Sequence, residues 1–253
     1  MCAVFGFIAR NYRRPRLDTL KSIVESNINR GPHAFGFAWI DHEDRIHMFK
    51  QTGRLADDMG VLAMAANARM LIGHLRYATH GDPRDNMNNH PHPSDGGWIV
   101  HNGIIQNNRE LVEARNLSPL SDCDSELLGL LIEQADGALS RRCIESTRLT
   151  TGNLAMLGLW TRPNALMMVR RGNPLHTAET AEGLYIATLR TGLPGNVKEV
   201  ADNSVTAYSF KNTGALHGHV QTFAADSRAD FSGYRGRGWH PRCGSEGSRY
   251  TGG

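Results

Sequence analysis

A cysteine follows the initial methionine directly, at position 2, where an apolar, strand-like run begins. A cysteine in such a run is ordinarily a small packing residue. If the methionine is trimmed, however, Cys2 becomes the first residue and its free α-amine lies on the carbon that bears the thiol. The reference pKa values are about 7.7–8.0 for the amine and about 8.5 for the thiol, so the amine can accept the thiol proton near neutral pH. Cys2 is therefore a candidate nucleophile with its own base.

The segment GHLRYATHG, residues 73–81, predicts a guanidinium at the end of a strand. Apolar residues lead into Arg76, and the apolar run breaks at Thr79-His80-Gly81. The N–H groups of an arginine can bind both oxygens of a carboxylate at once. The alternative interpretation is a surface arginine that pairs with Asp or Glu.

The segment WIVHNGIIQN, residues 98–107, contains an Asn-Gly pair between two apolar runs. Asn102-Gly103 in this setting is a common hairpin-turn signal. The same pair can supply a side-chain amide and a backbone N–H to one oxyanion, because glycine lets the backbone approach closely. The residues alone leave both interpretations open.

Acidic residues cluster in SDCDSELLGLL, residues 121–131. Ser121 or Asp122 could cap a helix that carries Leu127, and acidic residues at a helix start are expected from the helix dipole alone. A functional Asp124 would instead bind the ammonium group of a substrate.

Histidines are concentrated in NNHPHP, residues 88–93, and recur at His74, His80 and His101. The spacings match no zinc pattern, and no cysteine lies nearby in the sequence. We therefore expect a polar loop and no metal.

The composition indicates a globular protein. The chain has 253 residues, and 28 Lys and Arg against 25 Asp and Glu give a net charge of +3, which is no signal for nucleic acid. The cysteines form no C-x-x-C pair, which favours a reducing, cytoplasmic compartment; they are Cys2, Cys123, Cys143 and Cys243. We expect neither a secretory signal nor a membrane span.

Apolar periodicity predicts a mixed α and β domain. Predicted strands lie at 3–9, 35–40, 46–49, 70–75, 98–101, 154–160, 165–170, 184–187 and 204–210. Predicted helices lie near 17–28, 55–66 and 127–132. The paired strands near 35–50 and 154–187 suggest antiparallel hairpins in stacked sheets. We expect one domain over residues 1–222 and a disordered tail rich in Gly, Arg and Ser over residues 223–253.

Together these motifs resemble the class II glutamine amidotransferases, and most of all the glutaminase domain of the fructose-6-phosphate aminotransferase branch. The matching segments are MCAVFG at the start, RGPHAFG at 30–36, GHLRYATHG at 73–81, NNHPHP at 88–93, HNGIIQN at 101–107 and DSE at 124–126. The resemblance covers residues 2–211. It implies an α+β fold, the four-layer αββα sandwich of N-terminal nucleophile hydrolases, with two antiparallel sheets between helices.

The resemblance also implies roles at matching positions. Cys2 would be the nucleophile, and Asn102 and Gly103 would form the oxyanion hole. L-glutamine would be held by a clamp of side chains from two loops, namely Arg76, Tyr77, Thr79, His80 and Asp124. Neither a cofactor nor a metal is implied.

Two positions depart from the family pattern, and the acceptor is missing. His33 stands where the R-G-x-D pattern has an acid, and Tyr77 replaces the Trp of the amino-sugar branch, as in the phosphoribosyl branch. No ammonia-acceptor site is visible in the sequence. We therefore expect a separate ammonia-accepting synthase, and a homo-oligomer is compatible with the sequence.

Two other functions share this set of residues. A γ-glutamyl amide or peptide hydrolase would use the same nucleophile and clamp with a more open leaving-group side. A non-catalytic glutamine-binding module would need the clamp but not Cys2 or the oxyanion donors.

Overall fold

The computed structural model describes residues 1–210 and 216–223. Its strands are β1 Ala3–Ala9, β2 Ala34–Asp41, β3 Ile46–Thr52, β4 Ala68–Arg76, β5 His92–Ser94, β6 Gly97–Gly103, β7 Leu154–Thr161, β8 Asn164–Arg171, β9 His176–Glu179, β10 Gly183–Ala187, β11 Val197–Glu199, β12 Ser204–Phe210 and β13 Leu216–Thr222. Its α-helices are α1 Leu17–Asn27, α2 Asn108–Arg115, α3 Glu126–Gln134 and α4 Leu139–Leu149. Short 3-10 segments cover Ile28–Arg30, Leu55–Ala65 and Asn86–Asn88.

The strands form two sheets in the described part of the chain. The first sheet has the spatial order β11-β9-β10-β1-β4-β2-β3, and the second has the order β13-β12-β8-β7-β6-β5. Neighbouring strands pair antiparallel in both sheets. The predicted antiparallel sheets are confirmed.

The two sheets pack face to face through alternate side chains of their central strands. Val4 and Ile8 of β1 belong to the same buried cluster as Val100 of β6 and Leu157 of β7. The opposite face of β1 is also covered, because Phe5 packs in a second cluster with helix α1. A strand that is buried on both faces needs apolar residues throughout, which is why β1 reads AVFGFIA.

Helices cover the outer face of each sheet. Helix α1 places Leu20 and Ile23 on the first sheet, and α3 and α4 place Leu127 and Cys143 on the second. The predicted four-layer αββα sandwich is therefore confirmed. None of the helices in the described ranges has the length and apolar character needed to cross a membrane.

The sequence located the central strands but missed short and amphipathic elements. The structure adds the short strands β5, β9 and β11, the strand β13 and the helices α2 and α4. The predicted helix near 55–66 is a 3-10 segment interrupted at Asp58, whose φ of −145° and ψ of 60° are not helical. The hairpin near 154–171 forms, but β10 lies in the other sheet.

The predicted helix cap at Ser121 or Asp122 is wrong. Helix α3 begins at Glu126, and its cap position, Ser125, makes no side-chain cap bond. The Ser121 hydroxyl instead donates to Glu126 Oε2 at 2.6 Å, and the Glu126 carboxylate also accepts from two backbone N–H groups of this loop. Glu126 therefore holds the segment that leads to Asp124.

The boundary between the domain, residues 1–222, and the tail, residues 223–253, stays a prediction, and the described residues end at Phe223. Phe223 is buried in the core cluster of the second sheet, and its backbone N–H donates to Asn203 at 2.9 Å. The rest of the predicted tail, residues 224–253, lies outside the described residues.

Replacing Leu157 by Ala tests the contact between the two sheets. Leu157 is fully buried in the cluster between them, so Leu157→Ala should lower the free energy of unfolding by about 2–5 kcal/mol. Urea denaturation measures the change. The control Leu120→Ala removes a leucine that is 77% exposed and should change the stability by less than about 0.5 kcal/mol. Equal effects of the two variants would contradict this arrangement.

Candidate active site

Cys2 is placed by the pairing of β1 with β4. Ala3 lies opposite Leu75 in this ladder, so Cys2 lies at the end of β4, next to Arg76 and Tyr77. The Cys2 Sγ accepts a hydrogen bond from the Tyr77 backbone N–H at 3.2 Å and lies 3.3 Å from the Tyr77 carbonyl oxygen. Burial raises the pKa of the Cys2 thiol, against the opposing effects of the Tyr77 hydrogen bond and the Arg76 charge. The thiol therefore needs a base to react near neutral pH.

Arg30 and Gly31 hold the main chain of Cys2 in place. Arg30 Nε donates to the Cys2 carbonyl oxygen at 2.9 Å. A Cβ at Gly31 would lie 2.2 Å from the carbonyl carbon of Leu75. The Arg-Gly pair of the segment RGPHAFG therefore fits against both strands that carry the site.

Arg76 is a buried cation in a frame of oxygen atoms. Its side chain is 2% exposed and donates to Asn89 Oδ1 at 2.9 Å, to the Gly81 carbonyl oxygen at 3.1 Å and to the His80 carbonyl oxygen. No carboxylate forms an ion pair with it in the described ranges. The surface ion pair considered from the sequence is therefore wrong. A buried guanidinium of this kind can bind an anionic group.

Asp124 offers a buried carboxylate oxygen next to this frame. Its side chain is 3% exposed, and Oδ2 accepts from the Ile105 backbone N–H at 2.6 Å. Oδ1 lies 3.9 Å from His80 Nδ1 and 4.0 Å from Cys123 Sγ, both longer than an ordinary hydrogen bond. Asp124 and His80 line a cavity of about 460 Å³. Oδ1 can therefore accept a proton donor from a bound ligand.

Asn102 and Gly103 are the last residues of β6, not a hairpin turn. They pair with Ala155 and Leu154 of β7. The Asn102 side chain is buried, and its Nδ2 has no hydrogen-bond partner in the described part of the chain. An unpaired buried donor costs free energy unless a ligand supplies an acceptor. A Cβ at Gly103 would lie 2.3 Å from the Asn153 carbonyl oxygen, so glycine is required there.

The contacts join most of the predicted site residues into one network. Cys2 bonds to Tyr77, Arg76 bonds to the His80 main chain, and His80 faces Asp124. Through Ile105, Asp124 is tied to the chain that leaves β6 at Gly103. Thr79 lies exposed in the loop after β4, and no contact recorded for it joins it to this network.

His33 holds the turn that carries Tyr77. Its Nδ1 accepts from the Ala78 backbone N–H at 3.0 Å, which requires an unprotonated Nδ1. The Tyr77 side chain is 44% exposed, and its ring centroid lies 4.9 Å from that of His33. A carboxylate at this position could accept the same N–H.

Several residues that hold the site were not singled out in the sequence. They include Asn89, which binds Arg76, and Asn173, whose Nδ2 donates to the Asn102 carbonyl oxygen at 2.7 Å. Ser125 Oγ lies 2.8 Å from His101 Nδ1 and so links the Asp124 segment to β6. Asn89 and Ser125 lie within the motifs NNHPHP and SDCDSELLGLL, whereas Asn173 follows the predicted strand at 165–170, and no spacing rule assigns these contacts.

The sequence argued against a metal site because no cysteine lies near residues 88–93 in the chain, but the fold brings a cysteine close to them. Cys123 is far from residues 88–93 in the sequence, yet its sulfur lies within 4.8 Å of ligand atoms of His90 and His92. All three residues are buried.

Comparison with known proteins finds relatives over most of this chain. No family model matches the sequence. The chain is 30% identical over 239 residues to a glutamine–fructose-6-phosphate aminotransferase of Salmonella paratyphi A, a match that covers 85% of this chain and 37% of the relative. It is 35% identical over 220 residues to the protein of the same name in Geobacillus kaustophilus, covering 84% and 34% of the two chains.

Two solved structures share the fold. Glutamine phosphoribosylpyrophosphate amidotransferase from B. subtilis superposes with a TM-score of 0.69 at 18% identity, covering 86% of this chain and 49% of that chain. A class-II glutamine aminotransferase domain protein from Silicibacter pomeroyi gives 0.56 at 14% identity, covering 87% of this chain and 100% of that chain. This chain belongs to the class II glutamine amidotransferases. It spans about a third of the length of the curated relatives it matches.

Removing the His33 ring should loosen the amidotransferase loop that carries Tyr77. His33→Ala leaves the Ala78 N–H without its acceptor, a loss of about 0.5–1.5 kcal/mol, so its hydrogen exchange should become about 2- to 10-fold faster. Hydrogen–deuterium exchange followed by mass spectrometry or NMR measures the rate. His176→Ala, which removes a histidine of β9 on the same sheet, is the control and should not change it. Unchanged exchange at Ala78 in His33→Ala would show that the bond does not hold this loop.

Proposed function

We propose that this chain hydrolyses the side-chain amide of L-glutamine to glutamate and ammonia, with Cys2 as the nucleophile. The observation that carries the proposal is the buried Arg76 guanidinium next to the thiol, which pairs with no carboxylate of residues 1–210 and 216–223. An α-amino acid presents a carboxylate for Arg76 and an ammonium for Asp124 Oδ1. The length of its side chain then decides which group reaches Cys2.

The nucleophile acts through a thioester. Removal of Met1 exposes the Cys2 α-amine, which takes the thiol proton as the sulfur bonds to the γ-carbonyl carbon. The amine then passes this proton to the leaving nitrogen, the C–N bond breaks, and ammonia departs. Water, deprotonated by the same amine, attacks the thioester and releases glutamate and the thiol.

The oxyanion of each tetrahedral intermediate is stabilised by Asn102 and Gly103. The unpaired Asn102 Nδ2 is one donor and the Gly103 N–H is the second. The bond from Asn173 to the Asn102 carbonyl fixes this strand end. In this proposal the donors are in place before the reaction begins, so no free energy is spent on orienting them in the transition state.

The loop after β4 completes the pocket. The His80 main chain binds Arg76, and its side chain faces Asp124, so His80 couples the two charged ends of the clamp. As the family resemblance implies, the Thr79-His80 loop would position the amino-acid end of glutamine, and Tyr77 would contact the substrate beside Cys2.

Ammonia released into water at neutral pH is mostly protonated and no longer a nucleophile. We therefore propose that a separate ammonia-accepting enzyme receives it. The curated relatives are named for transfer from glutamine to fructose 6-phosphate, which makes a sugar phosphate the first acceptor class to test. The cytoplasmic location and the oligomeric state stay predictions.

Asn102→Ala should lower kcat for glutamine hydrolysis by about 10²–10³-fold, because it removes one oxyanion donor. A coupled assay for glutamate measures the rate. KM should change much less, since the donor acts on the transition state. The control is Asn164→Ala, at the β7–β8 turn, where the side chain bonds only to Asp44 in the described contacts. If both variants keep the parent kcat, Asn102 is not an oxyanion donor.

Covalent capture tests the nucleophile. Treatment with a diazoketone analogue of glutamine should add one inhibitor, less dinitrogen, to a protein whose intact mass lacks Met1. Cys2→Ala should give no adduct, whereas Cys143→Ser, which changes a buried cysteine of α4, should react fully. An unmodified protein that retains Met1, or an adduct on Cys143, would overturn the proposed mechanism.

A further inference from the structure

Two histidines and a cysteine converge beside the proposed glutamine site. His90 and His92 flank Pro91 at the start of β5, and Cys123 precedes α3. One ligand atom from each of the three lies within 4.8 Å of the other two. The three residues come from two distant segments, so the fold, not the local sequence, creates the cluster.

Three of the four imidazole nitrogens of this cluster have no hydrogen-bond partner among the described residues. Both nitrogens of His90 and Nε2 of His92 are buried and unpaired in the described part of the chain. The ring of His74 packs against His90 at 3.8 Å between centroids and leaves little room beside it. Buried polar atoms without partners cost free energy. A bridging water would satisfy the nitrogens but would gain little from the sulfur.

We propose that His90, His92 and Cys123 form a binding site for a borderline-soft metal cation of the zinc type. Imidazole and thiolate ligands select such cations, whereas Mg²⁺ and Ca²⁺ require oxygen ligands. On binding, the Cys123 thiol loses its proton to solvent and the sulfur bonds to the metal, so one proton is released per cation. The site takes one ion and leaves one tetrahedral position for a fourth ligand.

The geometry is close to that of an occupied site. Bond lengths of about 2.0–2.1 Å to nitrogen and about 2.3 Å to sulfur place tetrahedral ligand atoms about 3.3–3.6 Å apart. The three ligand atoms lie within 4.8 Å of one another, so they would have to approach by up to about 1.2–1.5 Å to hold one ion at these bond lengths. Cys123 also lines the cavity of about 460 Å³, which supplies the entry path.

Both segments of the proposed metal site also connect to the amino-acid clamp, one through a hydrogen bond to a clamp residue and the other through a clamp residue of its own. Asn89 precedes His90 and bonds to Arg76, and Asp124 follows Cys123. Lys50 Nζ donates to the carbonyl oxygens of Asn89 and Pro91 at 2.8 and 3.4 Å, which fixes the histidine segment. A metal would therefore tie the Arg76 side of the site to the Asp124 side. This goes beyond the proposed function, which needs no metal.

Cobalt and zinc titrations of the full chain test the proposal. The parent for this experiment is Cys2→Ala, because a terminal cysteine is itself a chelator. We expect one Co²⁺ per chain with a thiolate-to-cobalt charge-transfer band, displaced by one Zn²⁺ with release of one proton. Loss of an outer-shell partner costs about 10- to 100-fold in affinity, so loss of a direct ligand in Cys123→Ser should cost at least about 100-fold.

Matched variants separate this site from other ligands. Cys143→Ser in the same parent removes another buried cysteine and should keep both band and affinity, whereas His92→Asn should weaken binding as Cys123→Ser does. Circular dichroism confirms that each variant is folded. A parent protein that binds no stoichiometric metal, or binds it without the charge-transfer band, overturns the proposal without any cluster variant. A band that survives Cys123→Ser overturns it as well. Neither result depends on glutaminase activity.

Discussion

The antiparallel ladder between β1 and β4 is the constraint on which the site depends. It sets Ala3 opposite Leu75 and thereby places the Cys2 sulfur against the Tyr77 main chain, one residue from the buried Arg76. If the register of β1 shifted by one residue, every side chain of β1 would turn to the opposite face of the sheet. Because β1 is buried on both faces, such a shift would also place Phe5 and Phe7 against the other sheet. Core packing therefore fixes the position of the thiol.

The second half of the site comes from the other sheet and depends on how the two sheets pack. β6 ends at Gly103, and the Ile105 N–H just beyond it binds Asp124. The Asp124 segment is held in turn by Ser125 against His101 of β6 and by Glu126 against the preceding loop. The inter-sheet core of Val4, Val100 and Leu157 thus sets the position of one clamp residue relative to the other.

The features that could be predicted from the sequence are those that depend on local apolar patterns or on complete motifs. Runs such as Ala3–Ala9 specify central strands because both of their faces are covered, and the end of β4 at Arg76 follows from the polar break after it. The edge strand Val197–Glu199 was missed because it has only three residues, two of them exposed. Helix α4 was missed because polar and charged residues dominate its sequence, LSRRCIESTRL, although its few apolar residues share one face. The exclusion of a hairpin turn at Asn102-Gly103 needed the pairing with β7, which no local pattern gives.

Buried polar groups that lack a suitable partner can be identified only in the folded structure, not in the sequence. In the described part of the chain Asn102 Nδ2 has no acceptor, and Arg76 has oxygen acceptors but no anion. Both lie in the amidotransferase network, where a charged substrate would compensate their burial. Nitrogen atoms of His90 and His92 also lack hydrogen-bond partners among the described residues. They lie near the Cys123 thiol rather than the clamp. A glutamine bound between Arg76 and Asp124 would leave these imidazoles unsatisfied, since its charged groups are already paired. Buried polar groups without suitable partners thus occur both at the amino-acid clamp and at the cluster of His90, His92 and Cys123. The two places differ in their ligand chemistry, so one ligand does not account for both.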